Sequence, residues 1–450
     1  MLLPPLEQFI PDDHQLKRLN RVLDLSFVHE AVRDRYCQTN GRASIDPEVI
    51  LRIFLLQAIS GITKVRQLLR EIQVNLAYRW FLGYRLDESL PDHSTLSKAL
   101  DRFGDELFDE LFRRSIAACQ KSGLIEGKLL HVDATTIRAD IDKKKVNKSN
   151  SSDRDARFGR FGDGSKQPGY KQQTVVDDEH GVVVAIDVTP ANSADDPALL
   201  AVIDQAGERL GQSPAAVCAD GGYASGANAA GCEERHIRLV SPPQPVPQQE
   251  RGHFTIDQFK YDEQRDEFIC PAGEPLRNVG RTGRKSQRRY RGKQRICQRC
   301  PLLSRCTDAT VRCLTVSPGH GALVRLRADH QTESFRQLYR RRAPVVEGRF
   351  AESKQQHGLR RAWRRGLSKM RIQCLLIATV INLKRLIASL RLIWGWIKPP
   401  QMRRRTIGVE FILQRLIPKF GRVSSYELIN SASRRFETSF STVPFAGMTA

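Results

Sequence analysis

The chain lacks several features that would place it outside the cell or in a lipid bilayer. Its start, MLLPPLEQFIPDD (1–13), puts prolines and acids where an export signal needs a basic start and an unbroken apolar core. A cytoplasmic protein is therefore expected. It also lacks a long apolar run free of charge. The most apolar stretch, CLLIATVINLKRLIASLRLIWGWI (374–397), carries Lys384, Arg385 and Arg391, too many charges for a comfortable membrane span, so a buried helix is expected and no membrane partner. There is no internal repeat. The ten cysteines of an unexported chain are expected to be reduced, which argues against a disulfide scaffold and leaves metal binding open to any that cluster.

Acids are in deficit. Lys and Arg number 72 against 50 Asp and Glu, a formal charge of +22, and much of the excess lies in runs such as RTGRKSQRRYRGKQR (281–295) and LRRAWRRGLSKMR (359–371). Such a surface repels itself unless a polyanion neutralises it, and releasing counterions from a nucleic acid would reward several contacts at once. Nucleic acid is the first partner to consider, with a merely solvated basic surface as the rival. At 450 residues the chain exceeds one ordinary hydrophobic core, so two or three domains are expected, one of them interrupted by an insertion.

Residues 44–120 have helical periodicity. SIDPEVILRIFLLQAISG offers Ser44 or Asp46 as N-cap and Pro47 at the first helical position, and further helices are expected at 63–83 and 94–119. This region suits either a helix-turn-helix or a helical domain packing on its neighbour. From 128 the period becomes extended: KLLHVDATTI, YKQQTVVDD and GVVVAIDVTP read as three meandering strands, followed by a helix (195–210), a strand AAVCAD (215–220), a short helix (225–235) and a strand IRLVS (237–241). That order predicts a mixed sheet, antiparallel first and parallel later. The polar segment 143–169 is expected to be a long loop. Helix returns at 331–396, and the tail from 399 has one amphipathic candidate at 405–418.

Two acids close strands in this reading: Asp133 ends KLLHVD and Asp220 ends AAVCAD. If these strands are parallel neighbours their carboxylates converge, since ligands gather beyond the carboxyl ends of such strands. Clustered acids repel unless a divalent cation sits between them. Hard carboxylate oxygens suit Mg²⁺ or Mn²⁺, and two ions about 3.5–4 Å apart serve phosphodiester chemistry. An isolated Asp at a strand end is also a common loop cap. A third acid could come from the basic segment APVVEGRFAESKQQHGLRRAWRRGLSKMR (343–371), which offers Glu347 and Glu352. Five residues put these about 140° apart on a helix, so they do not share a face. Glu347 precedes Lys354 by two turns and can share its face, so Glu347 is chosen, against the alternative of a surface acid balancing arginines.

Within the basic insert stand Cys270, Cys297, Cys300, Cys306 and Cys313. CQRC is a C-x₂-C pair able to hold a tetrahedral Zn²⁺, with Cys306 as a third thiolate and either Cys270 or Cys313 as a fourth. A small core of reduced cysteines is the rival reading. The run 281–295, with Tyr290 among its cations, could grip phosphate and stack on a base, or form a solvated loop. Arg360, Arg361, Arg364 and Arg365 could face DNA by the same logic.

In LLHVDATTIRAD, AVCADGGYAS and VVEGRFAESKQQHGLRRAWRRGL, occurring in the order D, D, E, the chain resembles bacterial insertion-sequence DDE transposases, and its helical region 44–104 is similar to their N-terminal domain. The resemblance implies an α/β fold, a ribonuclease H-like mixed sheet flanked by helices, with an N-terminal all-α domain and an inserted basic Cys-containing subdomain. The implied divisions are 1–120 helical, 121–242 and 331–398 catalytic core, 243–330 insert, and 399–450 tail. It implies that Asp133, Asp220 and Glu347 bind two Mg²⁺ or Mn²⁺ ions, and that Lys354 contacts DNA. Tyr339 and Arg342 have the family's tyrosine–arginine spacing, but four residues rather than three separate Arg342 from Glu347. The implied activity is hydrolysis at element ends to expose 3′ hydroxyls that attack target DNA, with a homodimer on DNA as the working assembly. A DNA-binding protein that has lost catalysis is the alternative.

Overall fold

The computed structural model describes residues 4–397 apart from 37–43, 147, 150, 245–251 and 283–286; the tail from 399, with its helix candidate at 405–418, lies outside the described residues. Residues 1–391 form one compact unit, and the second unit, 392–450, is described only as far as 397.

The N-terminal region is helical: α1 (Gln15–Val22), α2 (Val28–Val32), α3 (Pro47–Ser60), α4 (Val65–Val74), α5 (Leu76–Leu82), α6 (His93–Phe103) and α7 (Glu106–Lys121). Of the two N-cap candidates for α3, Asp46 takes the role: its side chain accepts from the Glu48 N–H at 2.7 Å, and Gly61, with φ 68°, ends the helix. The helix expected at 63–83 is two, because Asn75 turns extended and its side chain caps α5 by accepting from the Tyr78 N–H at 3.1 Å. The helix expected at 94–119 is also two, meeting at Gly104 with φ 66°.

Next come β1 (Leu129–Arg138), β2 (Arg157–Arg160), β3 (Lys166–Asp177), β4 (Val183–Pro190), α8 (Leu199–Leu210), β5 (Ala216–Ala219), α9 (Gly226–Glu234) and β6 (Arg238–Val240). One edge of β3 pairs antiparallel with β1; the other pairs antiparallel with β2 through Lys166–Gly169 and with β4 through Tyr170–Val176. On the far side of β1, β5 and then β6 add in parallel. The mixed sheet is thus antiparallel first and parallel later, as the order of elements predicts. The segment expected to be a loop supplies β2 and the start of β3.

An insert follows: β7 (Lys260–Asp262), β8 (Glu267–Ile269), β9 (Pro275–Thr282), β10 (Gln287–Arg291), α10 (Gln294–Cys297), α11 (Leu303–Cys306) and β11 (Cys313–Val316) form an antiparallel sheet ordered β11-β10-β9-β8-β7 over its own small core. Then α12 (His320–His330) returns to pack on α9 and β6, and α13 (Glu333–Gln356) lies along β1, β5 and β6.

The last described helix is α14 (Leu367–Ile397). By length and composition its Leu367–Leu390 portion could cross a membrane, but 72% of its apolar window is buried in the fold, in keeping with the expected core helix. Phe54 and Phe108 from the helical region, Val132 and Ile186 from the sheet, and Leu376 from α14 belong to one continuous core. Removing each such side chain from water contributes about 1.5–3 kcal/mol. Asn382 ties α14 to β4 inside that core, its side chain accepting from the Val183 N–H and donating to the Val183 carbonyl, both at 2.8 Å.

Candidate active site

The parallel pairing of β1 with β5 ends at Val132 opposite Ala219. The next residue on each chain is an acid, Asp133 and Asp220, so the two sit side by side where β5 stops. Asp220 accepts from the Gly222 N–H at 2.8 Å and caps the short turn after β5. Asp133 does not close its strand, as the sequence reading had it: β1 continues to Arg138 because β3 keeps pairing with it as far as Gly169. Asp133 is therefore a mid-strand residue beside a neighbour that has ended.

Arg342 of α13 reaches Asp133, Nη2 to Oδ2, at 2.8 Å, with the side chains 11% and 16% exposed. The other carboxylate oxygen accepts from the Ala134 N–H at 2.8 Å. Burial pushes the Asp133 carboxyl above the usual carboxylate range and the neighbouring Asp220 charge adds to this, while Arg342 and the Ala134 N–H pull the other way. Arg342 also lies over the Tyr339 ring, 5.9 Å from its centroid, and its Nε is buried without a hydrogen-bond partner. Tyr339 itself stacks on Phe335 at 6.3 Å.

Glu347 is exposed on α13 and makes no hydrogen bond or ion pair to any described residue. Lys354, two helical turns later, is half-buried. Burial lowers its pKa and Arg360 adds to this, while the Asp133 charge raises it, so Lys354 and Asp133 act on each other across the site. A seven-residue step turns a helix by about 700°, which leaves Glu347 about 20° from Lys354 on the wheel. The rival acid, Glu352, is committed elsewhere: its carboxylate meets Lys384 and Arg385 of α14 at 2.6 Å each, Arg349 at 3.7 Å and His357 at 3.8 Å. Among the described residues no three His, Cys, Asp or Glu side chains stand ready-grouped around a point where a metal could sit.

Of the arginines expected to meet DNA, Arg360 and Arg361 are exposed, in a segment that bridges back to β1 at Arg138. Arg361 is 3.4 Å from Asp140. Arg364 is turned inward, 5.3 Å from the Phe54 ring centroid and bonded to Gln57 at 3.4 Å, and burial lowers its pKa to about 10.

Two polar networks near the acids have no signature in the sequence. Asp195 accepts from Lys171 at 3.0 Å and from Gln173 at 2.6 Å, and Gln173 in turn accepts from the buried Tyr223 hydroxyl. Burial raises the Tyr223 pKa, and Asp195, Asp133 and Asp220 add to this. Two residues before Asp133, the fully buried His131 bonds Asp178 at 2.7 Å, and Arg341 completes the trio by pairing with Asp178. Adjacent arginines of α13 thus each hold an acid of the sheet region. These residues lie far apart in the chain with no characteristic spacing, so only the fold unites them.

In the insert, Cys270, Cys297, Cys300 and Cys306 line one cavity of about 30 Å³, and Cys313 is not among its lining residues. All five are free thiols.

Residues 4–102 match the family described as Transposase domain (DUF772), and residues 269–387 match the family described as Transposase DDE domain. Both matched families are described as transposase domains, which supports a DDE-type transposase. Glu347 and Lys354 fall within the second matched segment, whereas Asp133 and Asp220 lie between the two. No curated protein matches the chain. Among solved structures it is similar to a piggyBac transposase synaptic complex with hairpin DNA, at 10% identity over 95% of this chain and 88% of that one, with TM-score 0.34. It is also similar to a Mos1 transposase paired-end complex with left transposon end, at 13% identity over 44% of this chain and 61% of that one, with TM-score 0.17. These structural likenesses are loose.

Proposed function

We propose that the chain is an active transposase of a bacterial insertion sequence, cleaving DNA at element ends and transferring the exposed 3′ ends to target DNA, with Asp133, Asp220 and Glu347 as its catalytic acids. The observation that carries this reading is the pairing of Asp133 with Asp220 at the end of β5, beneath the helix that bears Arg342, Glu347 and Lys354. A sheet with β3 and β1 antiparallel, then β5 and β6 parallel, supports the ribonuclease H-like assignment.

The donor set suits hard divalent cations: two adjacent carboxylates offer hard oxygen donors, which favour Mg²⁺ or Mn²⁺ over softer metals. Two such ions, when bound, would activate the attacking water or hydroxyl and stabilise the leaving oxygen. The protein's own part is to hold and orient. β1 fixes Asp133, the turn after β5 fixes Asp220, and α13 brings Glu347 with Lys354 placed to receive a phosphate. Arg342 balances Asp133 in the free protein. Arg360 and Arg361 extend the basic surface toward DNA, and Arg364 braces the helical region. In this division the helices of 1–120 and the insert at 243–330 flank the core and meet DNA, and a homodimer holds paired ends in the nucleoid.

The rival, DNA binding without cleavage, is favoured by two observations: Asp133 already has its counter-cation in Arg342, and the three acids are not ready-grouped among the described residues. Mg²⁺-dependent nicking of duplexes bearing the element ends separates the two. Wild type should nick and Asp133→Ala and Glu347→Ala should not. Equal activity in all three, or none in the wild type despite tight binding, would overturn the proposal. Joined products made from a 3′-hydroxyl donor would separate strand transfer from simple cleavage.

A further inference from the structure

The cavity in the insert brings together side chains that the transposase reading does not use. Cys270 begins a tight turn after β8, in which Gly273 takes φ 84° and the Glu274 N–H points at the Cys270 sulfur at 3.4 Å. Cys297 ends α10, Cys300 follows in the next turn, and Cys306 ends α11. The four thiols thus reach one cavity from separate parts of the insert, with Leu276 and Ile296 among its apolar walls.

Arg312 also lines this cavity. It is only 8% exposed, donates to the carbonyls of Cys306 at 2.6 Å and Phe254 at 2.9 Å, and has no carboxylate partner among the described residues, while its Nε lacks any hydrogen-bond partner. A buried guanidinium without an anion is costly. The four thiols share this cavity with it. Several thiolates cannot share so small a space without a cation among them. The insert is also short of apolar core, its buried cluster resting on a few side chains such as Phe268 and Tyr290, and small units of this kind usually need a staple.

We infer that Cys270, Cys297, Cys300 and Cys306 hold one structural Zn²⁺, with Arg312 as the buried counter-charge of the site. On binding, four S–H protons leave to solvent and four Zn–S bonds form, giving a centre of about −2 net charge against the one guanidinium. A cavity of about 30 Å³ has room for one water-sized guest. Since no three of the sulfurs are ready-grouped as they stand, the ion would draw them inward. Cys313 is outside the set: it lies on β11, and its sulfur accepts from Arg289 at 3.6 Å. The geometry therefore chooses Cys270 over Cys313 as the fourth ligand.

The full chain, purified under reducing conditions without chelator, should carry about one zinc per chain by mass spectrometry of the metal. Replacing the zinc with Co²⁺ should give the thiolate-to-cobalt charge-transfer band and the intense ligand-field bands of a tetrahedral sulfur site, a readout that needs no variant. Cys313→Ser should keep full metal content, whereas Cys297→Ser with Cys300→Ser should lose it. A folded wild-type chain with no zinc and all of these thiols open to a thiol reagent would overturn the inference, as would loss of the metal in Cys313→Ser or a weak octahedral cobalt spectrum. None of these readouts involves DNA cleavage, so the inference stands or falls apart from the proposed activity.

Discussion

Arg342 and Asp133 form a 2.8 Å ion pair between α13 and β1, at the place where β5 ends and Asp220 adds a second carboxylate. If Asp133 and Asp220 hold a metal ion as proposed, the guanidinium occupies one of its ligands and one cation must give way to another. Arg342→Ala should leave the two carboxylates without a counter-charge and destabilise the metal-free chain by about 2–4 kcal/mol. Mg²⁺ should recover part of that loss, raising the melting temperature of the variant more than that of the wild type. An equal response to Mg²⁺ in both proteins would refute the displacement.

Glu347 and Glu352 should separate function from stability. Glu347 is exposed and unpaired among the described residues, so Glu347→Ala should change stability by no more than about 0.5 kcal/mol while abolishing nicking. Glu352→Ala leaves Lys384, Arg385 and Arg349 without their shared anion and should cost about 3 kcal/mol. Denaturant melts beside nicking assays test both, and a strongly destabilised Glu347→Ala would contradict the placement.

Acid should weaken the protein through Glu352. Burial drives this carboxyl up, but the neighbouring His357 and Lys384 side chains and the charges of Lys384 and Arg349 outweigh it and hold it at about 2, below its ordinary 4.5. The unfolded chain therefore takes up the proton first. The stabilisation is fully present above pH 4.5 and is lost as the pH falls toward 2, up to about 3 kcal/mol. In Glu352→Gln this part of the acid dependence should disappear, so the stability gap between variant and wild type should narrow over that range.

Gly61 should tolerate no side chain. Its φ is 68°, and an added Cβ would fall 2.4 Å from the Gln356 carbonyl oxygen at the end of α13. Close by, the His357 Nδ1–H donates to the Ala58 carbonyl at 2.7 Å. Gly61→Ala combines backbone strain with a backbone clash and should cost about 2 kcal/mol or more. A melting temperature equal to that of the wild type would show that the contact is slack.

Lys354→Ala should weaken DNA binding for all sequences alike and lower the slope of log K against log salt by about one. Arg364→Ala should instead reduce stability, because the side chain packs on Phe54 and bonds Gln57. A changed salt slope for Arg364→Ala, measured by titration at several salt concentrations, would contradict that division of roles.

The sheet was legible because its strands are β-branched apolar runs: LLHV, TVV and GVVVAI announce β1, β3 and β4; that β1 and β5 are the parallel neighbours that bring Asp133 beside Asp220 was a condition of the sequence argument, which the fold meets. The insert's sheet was not. Strands of three residues such as Lys260–Asp262 and an Arg-rich one, Gln287–Arg291, leave too little periodicity to distinguish from loop. The break at Asn75 could have been read from its capping chemistry, although the apolar pattern runs straight through it. That β1 runs on past Asp133 agrees with KLLHVDATTI read as one strand, and the pairing of Arg138 with Gly169 carries it to its end. Helical spacing placed Glu347 with Lys354, but the commitment of Glu352 to Lys384 and Arg385 depends on α14 folding back.

Hydrogen-bond ladders grip β1 on both sides up to Asp133, and on the β3 side well past it. A carboxylate anchored in that way has little freedom to wander, whereas α13 meets it only through side chains. Any rearrangement that readies the site should accordingly fall to the helix, sliding or turning over a stationary floor.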